Sequence, residues 1–266
     1  GFKRDDEIVD VIRSGIWVNE NNKDASFLTV PTTLKLALAN WDINFSKLKN
    51  LDQAIPDTAL TSLEVDEKPI AIKESEINLL PPVTNPNTFR DFYAFEQHVK
   101  AARKLRGLEM HPDWYKIPIF YFSNPTTLYG HGAIVPYPAG TEELDFELEF
   151  AIIIANGGRD IKKENADKMI AGYTILNDWS ARDLQREEMQ LNLGPAKGKD
   201  FANSFGPYMV TPDELTDAWD SNKLHLRMTC HVNGKLISDG NTNDLYHSFP
   251  TMIERASMNV DLQPGD

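Results

Sequence analysis

The chain has 266 residues, a formal net charge of −13 and a hydrophobic fraction of 41%, which fits one large domain, or a small and a larger one, around an apolar core. The acidic surplus argues against a nucleic-acid partner, and no apolar run approaches the roughly 18–20 residues that span a bilayer. The single cysteine, Cys230, excludes a disulfide framework and a thiolate zinc site, and predicts a cytoplasmic protein with an inert buried thiol.

Residues 1–80 are predicted to form a small α+β domain. The Pro-Thr-Thr opening of residues 31–51 and the apolar spacing behind it predict a helix, and residues 63–72 predict short strands around a turn. Prolines and asparagines interrupt regular structure in residues 77–89. We therefore place a domain boundary near residue 81, between domains of residues 1–80 and 81–266.

Residues 81–266 are predicted to form a mainly β domain, of α+β class, with helical insertions. Apolar spacing of three to four residues predicts helices, which are placed at 87–107, 163–173, 180–190 and 244–258. Strand-like runs are placed at 117–123, 133–138, 144–155 and 174–178. Asn233-Gly234 predicts a type I′ hairpin within residues 224–240. The strands lack the regular helix alternation of a parallel sheet.

A stripe of acids marks the start of the strand predicted over residues 144–155. Asp145, Glu147 and Glu149 alternate with apolar residues, so on a strand they share one face. Like charges so close repel one another, which leaves two interpretations: a solvated face, or a hard cation bound among the carboxylates. The apolar run of residues 151–155 favours the cation.

A second acid, Asp178, ends an apolar strand just before a predicted helix. Arg182 and Gln185 lie three residues apart and therefore share a face of that helix, so an acid, a cation and an amide would converge. The alternative is that Asp178 only caps the helix N-terminus.

A third cluster pairs Asp91 with His98, seven residues apart, hence on nearly the same side of the predicted helix. His98 could act as a general base because the pKa of imidazole lies near neutral pH. A histidine at the surface or at the edge of the core is the alternative.

Five segments in this order resemble the fumarylacetoacetate hydrolase family from about residue 85 to residue 266. They are "RDFYAFEQH", "DFELEFAIII", "GYTILNDWSARDLQ", "LGPAKGKDFANSFGPYMVTPDEL" and "LQPGD". The resemblance implies a mixed β-roll and β-sandwich catalytic domain with helical insertions. In that family further structure follows the "PGD" segment, so the C-terminal part of the domain is expected to be incomplete at Asp266.

The resemblance also implies roles for individual residues. The expected ligands of one divalent cation, Mg²⁺ or Ca²⁺ with Mn²⁺ as a further possibility, are Asp91, Glu147, Glu149 and Asp178. The groups implied to be catalytic are His98, which activates water, and Lys199. The implied substrate-binding residues are Tyr121, Arg182 and Gln185. Asp145 falls outside the ligand pair and is expected at the rim.

The implied activity is metal-dependent hydrolysis of a C–C bond in a β-diketo acid, such as fumarylacetoacetate to fumarate and acetoacetate in aromatic amino acid and tyrosine catabolism. A small anionic keto acid would be the substrate, and a homodimer the assembly. Alternatives on the same site are acylpyruvate hydrolysis, oxaloacetate decarboxylation and isomerisation of a 2-hydroxy-dienoate. A non-catalytic binding protein stabilised by a cation is the alternative of another class.

The loop before Lys199 is rich in glycine and lysine but lacks the spacing of a phosphate-binding loop. Gly194, Pro195 and Gly198 are expected to shape this loop so that Lys199 enters the site. Glu187 and Glu188, on the preceding helix, are expected to be solvated.

Overall fold

The computed structural model describes residues 1–21 and 29–266. The chain divides into two compact units, Gly1–Leu80 and Pro81–Asp266. Both units mix helices and strands, so the fold is α+β. Within the described ranges, no helix is both long enough and apolar enough to cross a membrane.

Over residues 1–21 and 29–80, the first unit consists of a three-stranded antiparallel sheet, a short hairpin and three helices. Its elements are β1 (Phe2–Arg4), β2 (Glu7–Val9), α1 (Val11–Asn21), α2 (Leu34–Leu38), α3 (Trp41–Ala54), β3 (Glu64–Val65), β4 (Lys68–Pro69) and β5 (Ala71–Lys73). Val9, Leu60 and Ile70 are fully buried at its core.

The second unit consists of small sheets with helices packed against them. Its first elements are β6 (Phe89–Phe92), α4 (Glu96–Leu105), β7 (Phe120–Ser123), β8 (Leu128–Tyr129), β9 (Leu144–Asp145), β10 (Leu148–Ile154), β11 (Gly158–Arg159), α5 (Lys163–Ala166), β12 (Ile170–Asp178), β13 (Ser180–Ala181) and α6 (Arg182–Met189). The remaining elements are β14 (Asn203–Phe205), β15 (Trp219–Asp220), β16 (Lys223–Leu224), β17 (Arg227–Val232), β18 (Lys235–Asn241), α7 (Phe249–Ser257) and β19 (Asp261–Leu262).

The largest sheet has the order β10-β12-β14-β8, and β12 is its most buried strand. β10 runs antiparallel to β12 with Leu148 opposite Asn177. Apolar residues of β10 and β12 pack in one core with α7. The helix contributes Phe249, Met252 and Ile253, which are buried at helical spacing. The N-terminus of α7 is capped by Ser248, whose hydroxyl accepts from the Thr251 N–H.

The hairpin predicted at Asn233-Gly234 is confirmed. It joins β17 to β18, and both turn residues have positive φ, 51° and 78°, as a type I′ turn requires.

Several predicted elements are wrong. The helix predicted over residues 87–107 is strand β6 followed by α4, because residues 89–92 pair with β7. The helix predicted over 163–173 is one short turn, and its second half belongs to β12. The predicted strand at 133–138 is irregular, and the helix predicted over 31–51 breaks at Asn40 into α2 and α3.

Candidate active site

Glu147 lies one residue before β10 and continues the register of β10 with β12, so that it stands opposite Asp178. Each of these residues donates its backbone N–H to the carbonyl of the other, at 3.0 Å. Asp178 is fully buried, and Glu149 lies two residues further along the chain than Glu147, opposite Leu176. Glu147 and Glu149 therefore lie beside Asp178, the last residue of β12, so the acids gather at the end of that strand.

The ammonium group of Lys199 lies between two of these carboxylates. Its Nζ donates to Oε2 of Glu147 at 2.7 Å and to Oδ2 of Asp178 at 2.5 Å, and its side chain is only 3% exposed. Burial alone would lower the pKa of Lys199, but Glu147 and Asp178 outweigh that effect and raise it. Lys199 is therefore a buried cation whose charge is maintained by the acids around it.

Arg182 supplies a second cation from the first residue of α6. Its Nε donates to Asp145 at 2.7 Å, and its Nη1 donates to Glu147 at 2.8 Å and to the side-chain oxygen of Gln185 at 3.1 Å. Burial would raise the pKa of Glu147, yet Lys199 and Arg182 together lower it to about 2. The Glu147 carboxylate thus stays ionised with a cation on each oxygen.

Asp91 and Glu149 complete the group of acids, and nearby cations offset their burial and the neighbouring negative charges less than they do for Glu147. Burial, followed by the charge of Asp178, raises the pKa of Asp91 well above its ordinary value. Burial, followed by the charges of Glu147 and Asp178, raises the pKa of Glu149 to about 8. Oδ2 of Asp91 and Oδ1 of Asp178 are buried without a hydrogen-bond partner within the described part of the chain.

An apolar cavity of about 120 Å³ borders this group of acids. β6, β10 and α7 supply its lining, which includes Phe92, Phe150 and Phe249 beside Asp91 and Glu149. This apolar lining is part of the reason why burial favours the neutral form of both carboxyl groups.

His98 and Tyr121 approach the same group from other elements. His98 Nε2 on α4 lies 3.9 Å from Oε1 of Glu147, its ring meets Tyr93 edge-on, and its side chain is 42% exposed. Burial lowers the pKa of His98, and Glu147 opposes that effect. The Tyr121 hydroxyl on β7 donates to Oδ2 of Asp178 at 2.7 Å, so Tyr121 orients an acid of the site.

The donor types around Asp178 fit a divalent cation. Carboxylate oxygens are the ligands that Mg²⁺ and Ca²⁺ prefer, and the unpartnered buried oxygens of Asp91 and Asp178 are the atoms such an ion would satisfy. As the side chains lie, no group of three or more His, Cys, Asp or Glu residues in ranges 1–21 and 29–266 is arranged to hold a metal. Glu147 would have to exchange a contact with Lys199 or Arg182 for one with the ion.

Asp145 lies at the rim of the site, where its half-exposed carboxylate forms an ion pair with Arg182. Two expectations about individual residues need correction. Asp91 lies on strand β6 rather than on a helix. Glu188 is not simply solvated, since its carboxylate accepts hydrogen bonds from three backbone N–H groups of the loop before Lys199.

Asp178 does not cap α6, which excludes the alternative interpretation of that acid. The N-cap position is Ala181, and no side chain caps this helix.

All the residues predicted to form a site gather around Glu147 and Asp178. Their individual roles stay predictions.

Comparison with known proteins identifies the family. Residues 87–266 match the family described as fumarylacetoacetate (FAA) hydrolase, C-terminal. The chain belongs to the fumarylacetoacetate hydrolase family. The matched region includes every residue predicted to bind a metal ion or substrate, so the resemblance seen in the sequence is confirmed.

Curated relatives of the chain include oxaloacetate tautomerases. The oxaloacetate tautomerase YisK of Bacillus subtilis (strain 168) is 35% identical over 193 residues, which are 72% of this chain and 60% of that protein. The chain thus spans less than two thirds of the length of this relative.

Solved structures show the same fold. The putative HpcE protein from Mycobacterium smegmatis aligns with a TM-score of 0.68 at 21% identity, over 100% of this chain and 80% of the other. The fumarylpyruvate hydrolase from Pseudomonas aeruginosa, solved in complex with Mn²⁺ and pyruvate, aligns with a TM-score of 0.54 at 21% identity, over 67% and 74% of the two chains.

Proposed function

We propose that this protein is a metal-dependent enzyme that interconverts the keto and enol forms of a small 2-oxo dicarboxylic acid such as oxaloacetate. The observation that carries the proposal is the buried Lys199 ammonium, held between Glu147 and Asp178 with Asp91 and Glu149 beside them. The activity of the Bacillus subtilis relative supports this choice among the chemistries of the family.

Keto–enol interconversion moves one proton from the carbon beside a carbonyl to the carbonyl oxygen. The reaction therefore needs a group that accepts the carbon-bound proton and delivers it to the carbonyl oxygen, and fixed positive charge where the enolate oxygen develops. We assign both proton steps to His98, which would take the proton from carbon and, as imidazolium, give it to the enolate oxygen, because its imidazole borders the acids and is partly exposed to solvent. Lys199 and Arg182 are the proposed cations for the enolate oxygen and for a substrate carboxylate.

A divalent cation would be held by Asp91, Glu147, Glu149 and Asp178, and when bound it would supply Lewis acidity toward the carbonyl oxygen. Tyr121 and Gln185 would orient Asp178 and Arg182 around the substrate. The cationic side chains also offset the acids, which would otherwise repel an anionic substrate.

Hydrolysis of a C–C bond in a β-diketo acid is the second candidate. His98 favours it, because an imidazole 3.9 Å from the Glu147 carboxylate can be oriented to take a proton from water. The same cations would then stabilise the carbanion of the leaving fragment as its enolate.

The test follows the ultraviolet absorbance of the oxaloacetate enol as purified protein and Mg²⁺ are added. A tautomerase speeds the approach to the keto–enol equilibrium while the total oxaloacetate, measured with malate dehydrogenase, stays constant. Release of pyruvate would instead indicate decarboxylation. No acceleration with oxaloacetate, together with conversion of fumarylacetoacetate to two acids, would replace the first proposal by the second.

A further inference from the structure

The loop that carries Lys199 into the site leaves its large apolar side chains exposed to solvent. Residues 190–199, here called the lysine loop, follow α6, and its Leu191 and Leu193 are 81% and 95% exposed. Burial of Leu191 and Leu193 therefore does not hold this loop in place, although Lys199 at its end is buried and paired with Glu147 and Asp178.

Glu188, near the end of α6, holds the lysine loop by its backbone. Its Oε2 accepts from the N–H of Ala196 at 2.8 Å and of Gly198 at 3.1 Å, and its Oε1 accepts from the N–H of Lys197 at 2.6 Å. A carboxylate that accepts three successive backbone N–H groups forms charge-assisted bonds, which are stronger than neutral ones. These three residues come immediately before Lys199.

Gly198 shows how closely the loop lies against α6. A Cβ atom at this position would come within 2.8 Å of the backbone nitrogen of Gln185 and 2.9 Å of its Cα. The carbonyl of Gly198 also accepts from the N–H of Ala181 at 2.9 Å. The N–H and the carbonyl of Gly198 are thus both bonded to the segment that carries Arg182, the first to Glu188 and the second to Ala181.

We propose that Glu188 is a positioning residue, which aims Lys199 at Glu147 and Asp178 by holding the backbone of residues 196–198. The inference deepens the proposed function and rests on it. Arg182 and Glu188 lie on the same helix, so α6 fixes both cations of the site, one directly and one through the loop. Glu188 acts on the site indirectly, by holding the backbone that precedes Lys199.

The kinetic test compares Glu188→Ala and Glu188→Gln with Glu187→Ala, a matched change at the neighbouring acid. Displacing a catalytic group by about 1 Å can cost on the order of 100-fold in rate. We expect Glu188→Ala to lower kcat for oxaloacetate tautomerisation roughly 10- to 100-fold with little change in KM, and Glu188→Gln to lower kcat less, because its amide keeps one acceptor oxygen. Glu187→Ala should stay within about twofold.

A double substitution separates positioning from general destabilisation. In a Lys199→Met background, Glu188→Ala should change the residual kcat by less than about twofold, since the group that it positions is gone. An equal loss of kcat with and without Lys199 would overturn the proposal, as would full activity of Glu188→Ala.

Chemical labelling reads the position of Lys199 without any substrate. Lys199 is 3% exposed and Lys197 is 73% exposed, so acetic anhydride should modify Lys197 first in the native protein. Glu188→Ala should raise the labelling rate of Lys199 several-fold, whereas Glu187→Ala should not. Unchanged labelling of Lys199 would overturn the positioning role. Increased labelling in a protein that is inactive on oxaloacetate would reject the proposed substrate and retain the positioning role.

Discussion

Two pairs of oppositely charged side chains in the second unit have similar geometry and different surroundings. Arg227 and Asp239, on the hairpin of β17 and β18, lie 2.8 Å apart with side chains 67% and 44% exposed. Lys199 and Asp178 lie 2.5 Å apart with side chains 3% and 0% exposed. Water screens the first pair, so it contributes little to stability. The second pair loses the hydration of both ions.

Function in this chain is expected where charged groups are buried rather than where they are exposed. A buried ion pair often stabilises a fold no better than apolar residues of the same volume would. The region around Asp178 nevertheless buries further acids, Asp91, Glu147 and Glu149, and raises the pKa of two of them. Such a costly arrangement is expected where charge is used for binding or chemistry.

The largest effect is expected from Lys199→Met, which removes the buried cation. Loss of one fixed positive group at a developing negative charge costs about 100- to 1,000-fold in kcat. Leaving Glu147 and Asp178 without their cation should also lower the free energy of unfolding by about 3 kcal/mol. Enzyme assays below the measured Tm separate the two effects. Lys116→Met, at an exposed lysine, is the control, and equal activity of both variants would contradict the account.

Gly198→Ala should have the next largest effect, because the added Cβ would collide with the backbone of Gln185. Overpacking of this kind costs about 1–3 kcal/mol of stability, and the displaced lysine loop should lower kcat about tenfold or more. Gly240→Ala on the hairpin is the matched control, since a Cβ there meets no atom within 4 Å. Thermal unfolding and kcat of both variants test this contrast.

Asp145→Asn is expected to have a smaller effect. It keeps the shape of the partner of Arg182 but removes its charge, and the weaker bond corresponds to about 1 kcal/mol, or roughly fivefold in kcat/KM. Asp239→Asn makes the same change beside the exposed Arg227 and should leave kcat/KM unaltered. If the two substitutions act alike, Arg182 does not depend on Asp145 for its orientation.

The smallest effect is expected from Arg227→Ala. Exposed pairs are worth about 0.2–1 kcal/mol, so Tm should fall by no more than a few degrees and kcat should not change. A loss of activity in this variant would mean that the hairpin belongs to the active region, which would erase the contrast between the two pairs.

The sequence predicted those parts of the site that depend on local pattern. The alternation of residues 144–150 predicts the acids beside Asp178, although the single predicted strand is interrupted at residues 146–147 and Glu147 lies just before β10. The apolar run before Asp178 predicts the strand end that the structure shows. Asn233-Gly234 predicted the hairpin because its turn geometry is set by two residues. The family was also recognisable, since its segments occur in order along the chain.

The errors arose where a distant partner decides the structure. The apolar spacing of residues 87–107 predicts a helix that includes Asp91, yet pairing with β7 makes residues 89–92 a strand. The ion pair of Asp145 and Arg182 depends on β9 meeting β13, which no local pattern reveals. Glu188 looks like any exposed helix acid, because its partners are backbone N–H groups that carry no sequence signal.

Cation binding by the buried acids is best measured by titrating the purified protein with Mn²⁺ and following the electron paramagnetic resonance of the free ion. We expect one tight site per chain that is lost in Asp178→Asn and retained in Asp239→Asn. We also expect added Mg²⁺ to compete for this site. Binding of Mn²⁺ that survives Asp178→Asn unchanged, or no binding at all, would contradict the claim that the buried acids form a cation-dependent active site.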